Sequence, residues 1–206
     1  MKKNLFHWYD GKIYDMFIAP SQSILFKKVK RMIPPGSSLL DVACATGRLG
    51  FDLATHCRHI TGIDLSAKNI NSAQKQLEAT PQNNIEFIHG NALALNKHID
   101  RRFDYAFTGL ALHEMPNEIR LPIIEQIKTL SDTLIFADYV TPMRKDLIGY
   151  MVNAVEFFAG INHFRNYRHY QAHGGIEALI KESGLKIVQT DYSHEKTVVI
   201  YKTIKT

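Results

Sequence analysis

The stretch from Ser38 to Ser66 constrains the fold more than any other. Leu39-Leu40-Asp41-Val42 is a short apolar strand pattern that runs into the small residues Ala43-Cys44-Ala45-Thr46-Gly47. An apolar helix-like run follows, and Ile60-Thr61-Gly62-Ile63-Asp64 is a second apolar strand pattern closed by another acid. Strand, small-residue loop, helix and acid-tipped strand in that order make a βαβ unit of the nucleotide-holding kind. Small residues let backbone N–H groups come close to a ligand, and a helix starting near Gly47 turns its positive end toward a carboxylate or phosphate. The acid closing the second strand is placed to accept both hydroxyls of a ribose.

The remaining pattern extends this unit. Ser21 is positioned to cap a helix to Met32 with Ile24, Leu25, Val29, Met32 and Ile33 on one face, and Pro34-Pro35-Gly36 ends it. Helices are predicted over 49–55 and, capped by Ser66, over 66–79, with strands at 85–89, 103–108 and 133–140 and a helix from Pro116 to about Lys128. Five alternations of strand and helix call for a parallel sheet covered on both faces, with a ligand at the strand C-termini. After residue 140 the rhythm changes. Residues 144–158 form an amphipathic helix pattern bringing Leu147, Ile148, Met151, Val152, Val155 and Phe158 together, and 160–173 is aromatic and basic. A helix over 176–183, stopped by Gly184 in a left-handed cap, precedes two strands, 185–192 and 197–204, whose short link makes an antiparallel hairpin. The expected fold is α/β: a doubly wound, Rossmann-like, seven-stranded sheet, mostly parallel with an antiparallel C-terminal strand. It occupies one domain over 1–206, with an N-terminal flap over 1–20 and a lid-like insertion over 141–175.

A chain of 206 residues with 45% apolar and 22% charged residues suits one globular domain. No apolar run reaches membrane-spanning length, and the N-terminus lacks the pattern of a secretion signal, so a cytoplasmic location is expected. The two cysteines, Cys44 and Cys57, give neither a disulfide framework nor a metal pattern. The formal charge of +5 is scattered over Lys2-Lys3, Lys27-Lys28, Arg101-Arg102 and Arg165/Arg168, which reads as several solvated faces and not as a nucleic-acid track.

With these elements in order, the chain resembles the class I S-adenosylmethionine-dependent methyltransferases, and within them the ubiquinone/menaquinone C-methyltransferase-like small-molecule group. The resemblance is carried by Leu39-Leu40-Asp41-Val42-Ala43-Cys44-Ala45-Thr46-Gly47, Ile63-Asp64-Leu65-Ser66, Gly90-Asn91-Ala92 and Leu112-His113-Glu114-Met115-Pro116, each at a strand end. It covers about Tyr9 to Phe136 closely and the last third only in architecture. It implies that the backbone of Ala43, Cys44, Ala45 and Gly47 faces the methionine portion of S-adenosylmethionine and that Asp41 orients this loop or meets the cofactor's amino group through water. It also implies that Asp64 takes the ribose hydroxyls, that Leu65 packs on the adenine, that Asn91 and Ala92 border it, and that Gly109 and Leu110 hold the cofactor from strand four. Ala43 and Ala45 stand where the family usually has glycine, which puts cofactor affinity, not cofactor identity, in question. A nicotinamide fingerprint is disfavoured because Arg48 falls where a small residue should let helix and strand pack.

The resemblance also implies a small-molecule methyl acceptor. His113, after strand four, is the candidate general base and a candidate acceptor contact, with steering of the following helix as its structural role. Glu114 beside it is expected to point elsewhere. Tyr14 in the flap and Arg165, Tyr167 and Arg168 in the aromatic–basic segment are candidate substrate contacts; the same spacing also suits tyrosines that pack and arginines that face water. His163, His169 and His173 have no acid at ligand spacing, so no metal site is expected. The strand-four segment Gly109-Leu110-Ala111-Leu112 lacks the motif that base-methylating enzymes use to grip a nucleobase. Two rival readings remain. One is a phospholipid or lipid-like quinone methyltransferase at a membrane surface, and the other is a non-catalytic S-adenosylmethionine-binding regulator.

Overall fold

The computed structural model describes the backbone of residues 19–206 and the side chains from 23 onward. The expected flap, Tyr14 included, lies outside the described residues in all but its last two positions. The first element, α1 (Ala19–Met32), begins ahead of the expected Ser21 cap. Pro20, with its fixed φ and no N–H to leave unbonded, fits a first helical turn. Leu25, Val29 and Met32 on its predicted apolar face are buried.

The chain continues through β1 (Ser38–Val42), α2 (Arg48–Leu53), β2 (His59–Asp64), α3 (Ala67–Ala79), β3 (Ile85–His89), β4 (Tyr105–Gly109), α4 (Asn117–Leu130) and β5 (Thr133–Tyr139). It then adds α5 (Leu147–Phe158), α6 (Ile161–Ala172), α7 (Gly175–Glu182), β6 (Leu185–Tyr192) and β7 (Val198–Lys205). The strands form one sheet in the order β3-β2-β1-β4-β5-β7-β6. β1 to β5 run parallel, and β7 is antiparallel to both β5 and β6. The strand order reverses between β1 and β4, and the crevice at their C-terminal ends is where a doubly wound sheet binds its ligand.

Successive residues on each strand point to opposite faces, so each parallel strand feeds two cores. Leu39, Ile60, Phe107 and Ile135 pack with Val29, Leu53 and Ile70 on the α1–α3 side, and Leu40, Ile63, Ala106 and Phe136 pack with Ile123, Ile127 and Ile180 on the α4–α7 side.

Several boundaries differ from the expected ones. The fourth strand starts at Tyr105, because Phe103 makes a single bridge to Ser131 and its amide donates to the Leu130 carbonyl at 2.8 Å. β3 and β4 are joined by a 3₁₀ segment, Ala92–Lys97, and not by an α-helix. Gly184 takes the left-handed conformation expected of it, at φ 68°. On α5, Leu147, Met151 and Phe158, grouped by the apolar pattern, are exposed, and the helix buries Gly149 and Glu156. A carboxylate displaces the apolar stripe because its partners, Tyr139 and His163, lie on the inner side.

Candidate active site

The rim at the ends of β1 to β4 brings the sequence-predicted cofactor residues into one strip. Asp41 is buried at the end of β1, beside Gly62 on β2. The loop after it turns through three left-handed residues, Ala43 at φ 60°, Ala45 at φ 49° and Gly47 at φ 78°. The two alanines therefore keep the glycine-like course of the bend at a cost of roughly 1 kcal/mol each. Gly47 has no such freedom of replacement: a Cβ there would stand 2.3 Å from the Phe87 ring. Gly62 is equally constrained, with Phe87 at 2.8 Å and the Cys44 sulfur at 2.9 Å from a Cβ position. The small residues thus seat the loop on β2 and β3 as well as opening its outer side.

Asp64 ties the two strand ends together. Its Oδ2 accepts from the Ala45 amide at 2.8 Å and its Oδ1 from the Ser66 amide at 2.8 Å. Ser66 caps α3, its side chain accepting from the Asn69 amide. Leu65 is 70% exposed beside Asp64, a large apolar side chain offered to a flat ligand. Asn91 is exposed and its Oδ1 accepts from the Leu93 amide at 2.9 Å, so its side chain caps the 3₁₀ segment. Ala92 packs half-buried behind it. Gly109 has the Phe107 ring 2.4 Å from a Cβ position, and Leu110, at φ 53°, donates its amide to the Ala137 carbonyl at 2.7 Å. Burial, then the Asp41 and Asp64 carboxylates, push the Cys44 thiol far up, so it is a neutral packing group. Burial, reinforced by Asp64, likewise pushes the Asp41 carboxyl up to about 8.

Past β4, a second group of side chains converges. His113, in the 3₁₀ turn Leu112–Glu114, is buried, and its Nδ1 lies 2.6 Å from Asp138 Oδ1 at the end of β5. Its Nε2 is 3.7 Å from Glu156 Oε2 on α5. Glu156 accepts from the Tyr139 hydroxyl at 2.8 Å and is hydrogen-bonded to Nε2 of His163 on α6. The other His163 nitrogen is 3.4 Å from Glu114. Burial by itself would lower the His113 pKa, but the Asp138 charge and hydrogen bond, then Glu156 and Glu114, push it up to about 9. Burial would raise the Glu156 pKa; the hydrogen bond from His163 and the charges of both histidines bring it below the usual value instead.

Arg120 on α4 is buried and fixes this turn by donating to the carbonyls of Met115 at 3.0 Å, His113 at 3.3 Å and Asn166 at 2.7 Å. Asn166 in turn donates to the Glu114 carbonyl at 2.7 Å. Of the aromatic–basic segment, Tyr167 is fully buried with its ring against His113 and Tyr139, whereas Arg165 and Arg168 are exposed on α6. Glu114, expected to point elsewhere, faces His163. The histidine trio 163, 169 and 173 is not brought together: His169 and His173 stack on each other at 3.8 Å, and His163 instead joins His113 and Glu114, with ligand atoms within 4.8 Å of one another. This grouping differs from the histidine trio read from the sequence.

Residues 39–131 match the methyltransferase domain family. This stretch, β1 to α4, is similar to a methyltransferase domain. In sequence the chain is similar to the demethylmenaquinone methyltransferase of Bacillus licheniformis, 32% identical over 128 residues that cover 56% of this chain and 54% of that protein. The chain thus spans about half the length of that curated relative. In fold the domain is similar to a magnesium protoporphyrin IX methyltransferase from Synechocystis PCC 6803 with bound SAH, at TM-score 0.68 and 20% identity over 100% of this chain and 90% of that one. It is also similar to a SAM-dependent methyltransferase from Aquifex aeolicus, at TM-score 0.66 and 15% identity over 91% and 94% of the two chains.

Sequence reasoning missed Asp138, Tyr139, Glu156 and His163 as parts of one site. A signal existed for two of them. Asp138 breaks the apolar run Leu134-Ile135-Phe136-Ala137, and Glu156 is the lone charge in α5. An acid inside an apolar element is expensive to bury without a partner, so it marks a site before the partner is known.

Proposed function

We propose that this domain transfers the methyl group of S-adenosylmethionine to a small organic acceptor that is aromatic or quinone-like. The observation that carries the reading is the Asp64 carboxylate, bonded to the Ala45 amide, at the junction of the β1 loop and the β2 end. The open strip beside it, Ala43, Ala45, Asp64, Leu65 and Asn91, fits an adenosine with its amino-acid tail: backbone at the tail, a carboxylate with lone pairs left for a diol, an exposed leucine for the base. The bound cofactor supplies an already activated methyl. Held with its tail at the Ala43–Ala45 backbone, its ribose at Asp64 and its base on Leu65, it would supply that methyl to the electron pair of an acceptor aligned in line with the carbon–sulfur bond, with sulfur as the neutral leaving group. The chain's contribution is orientation and exclusion of water. The aromatic or quinone-like class rests on the named demethylmenaquinone relative and on the Tyr139, Tyr167 and His113 rings packed past β4.

Calorimetry with S-adenosylhomocysteine tests the cofactor assignment. Asp64→Ala should weaken binding by at least about tenfold, roughly 1.4 kcal/mol; affinity unchanged from the wild type overturns it. Incubation with a short-tailed demethylnaphthoquinol and labelled S-adenosylmethionine tests the acceptor class, and a methylated quinol is the expected product.

A second reading, a lipid-like quinone or phospholipid acceptor met at a membrane surface, is favoured by the exposed face of α5 and its neighbour: Leu147, Tyr150, Met151, Phe157, Phe158 and Ile161. No helix among the described residues is long and apolar enough to cross a membrane. Co-sedimentation with anionic vesicles that is lost in Phe158→Asp supports this reading, and absence of the wild-type chain from the pellet removes it.

A further inference from the structure

We propose that Tyr139, Glu156, His163 and Glu114 form a relay that carries the hydroxyl proton of a quinol acceptor from the strand-end rim to solvent, a role that rests on the methyl-transfer reading given above. The contacts run in series. The Tyr139 hydroxyl donates to Glu156 Oε1 at 2.8 Å, Glu156 Oε2 is hydrogen-bonded to His163 Nε2, and His163 Nδ1 stands 3.4 Å from Glu114 Oε2. Glu156 is thus entered at one oxygen and left at the other. His163 is likewise entered at one ring nitrogen and left at the opposite one, the geometry by which an imidazole shuttles a proton. Side-chain exposure rises along the series, from 5% at Glu156 to 12% at His163 and 29% at Glu114, so the path leads from the interior to water.

The inner end lies beside the rim. Tyr139 closes β5, two residues beyond Ala137, which pairs with Gly109 on β4 and accepts from the Leu110 amide at 2.7 Å. The Tyr167 ring packs against it at 5.7 Å, and the Tyr167 hydroxyl is buried with no hydrogen-bond partner among the described residues. A buried unpaired hydroxyl costs on the order of 1–3 kcal/mol, and an acceptor oxygen bound here removes that cost. Burial and the Glu156 charge raise the Tyr139 hydroxyl well above its usual range, so it holds its proton until another arrives. His113 stands beside the relay and not in it. Its Nδ1 is committed to Asp138 at 2.6 Å, and its Nε2, 3.7 Å from Glu156, is beyond hydrogen-bond reach. Burial would raise the Glu156 carboxyl, and the His163 hydrogen bond with the charges of His113 and His163 outweighs it, which keeps Glu156 ready to accept.

The protons balance. As the acceptor's O–H bond breaks, its electron pair stays with the acceptor and supports attack on the methyl carbon. The released proton goes to the Tyr139 oxygen while the Tyr139 proton passes to Glu156 Oε1. The one proton of the Glu156–His163 contact settles on Nε2, and Nδ1 releases its proton to Glu114 and so to water. One proton enters at Tyr139 and one leaves at Glu114.

Turnover of the demethylnaphthoquinol with labelled S-adenosylmethionine, followed against pH in the wild type, Glu156→Gln, His163→Gly and Tyr139→Phe, tests the relay, with S-adenosylhomocysteine affinity measured alongside. In each variant kcat near neutral pH should fall by at least about tenfold, with cofactor affinity unchanged. The deficit should close as pH approaches the quinol's own ionisation, since an ionised acceptor has no proton to hand over. Added imidazole should restore part of the His163→Gly rate and leave Glu156→Gln unaffected; a merely structural role moves neither readout. If Glu156→Gln or His163→Gly fails to fold, Tyr139→Phe, which removes one oxygen and keeps the ring, gives the same reading from its pH profile. Variants that match the wild type at every pH overturn the relay and leave methyl transfer intact, and so does a deficit that persists at high pH without imidazole rescue. A wild type that binds S-adenosylhomocysteine yet makes no methylated quinol overturns the acceptor reading and the relay together.

Discussion

His113 Nδ1 stands 2.6 Å from Asp138 Oδ1, joining the turn after β4 to the end of β5 through two buried side chains. A second contact, the His113 amide to Asp138 Oδ2 at 3.3 Å, makes the carboxylate a support for both ring and backbone. Asp138→Asn retains the shape and removes the charge. It is expected to cost about 1.5–3 kcal/mol in urea unfolding, the range for a hydrogen bond to a charged group. Unchanged unfolding shows Asp138 to be a passive neighbour.

Arg120 donates to three backbone carbonyls from a buried position. Arg120→Met keeps much of the volume and strands those acceptors, each costing on the order of 1 kcal/mol or more. A loss of about 3 kcal/mol is expected, with α6 most affected because the Asn166 carbonyl is its link to α4. Hydrogen exchange should therefore report faster opening of α6 than of β1 or β2.

Ala45 sits at φ 49°, where alanine is strained and glycine is not. Ala45→Gly is expected to leave stability unchanged or raise it by up to about 1 kcal/mol, because relief of strain offsets the greater freedom of the unfolded chain. Ala73→Gly, in the buried face of α3, should instead lose about 1 kcal/mol or more. Gly47→Ala should be worse, since its Cβ meets the Phe87 ring. Chemical denaturation of the three variants orders them, and a destabilised Ala45→Gly refutes the strain assignment.

Burial and the neighbouring Asp64 charge raise the Asp41 carboxyl from 3.8 to about 8. Between these values the folded chain keeps a proton that the unfolded chain has released, so this group's stabilising contribution is full below about pH 4 and lost as pH rises through about 8. Melting curves of the cofactor-free protein should fall across that window, and Asp41→Asn should flatten the slope. A slope unchanged by the substitution assigns it to other groups.

Local sequence chemistry determined the alternation of strands and helices, the small-residue loop, the Ser66 cap, the Gly184 stop and the C-terminal hairpin. Each depends on residues a few positions apart: apolar period, side-chain capping and freedom at positive φ. The same locality made the rim formed by Asp41, the 43–47 loop and Asp64 legible, because these residues belong to one βαβ unit. The polar cluster past β4 was not legible, since it joins residues 113, 138, 156 and 163 from four separate elements. Period alone grouped the apolar residues of α5 without fixing which way they face. Its orientation is set by where Glu156 finds Tyr139 and His163, because a carboxylate taken out of water without such partners is strongly destabilising. Only the packing of α5 and α6 over the strand ends brings those partners within reach.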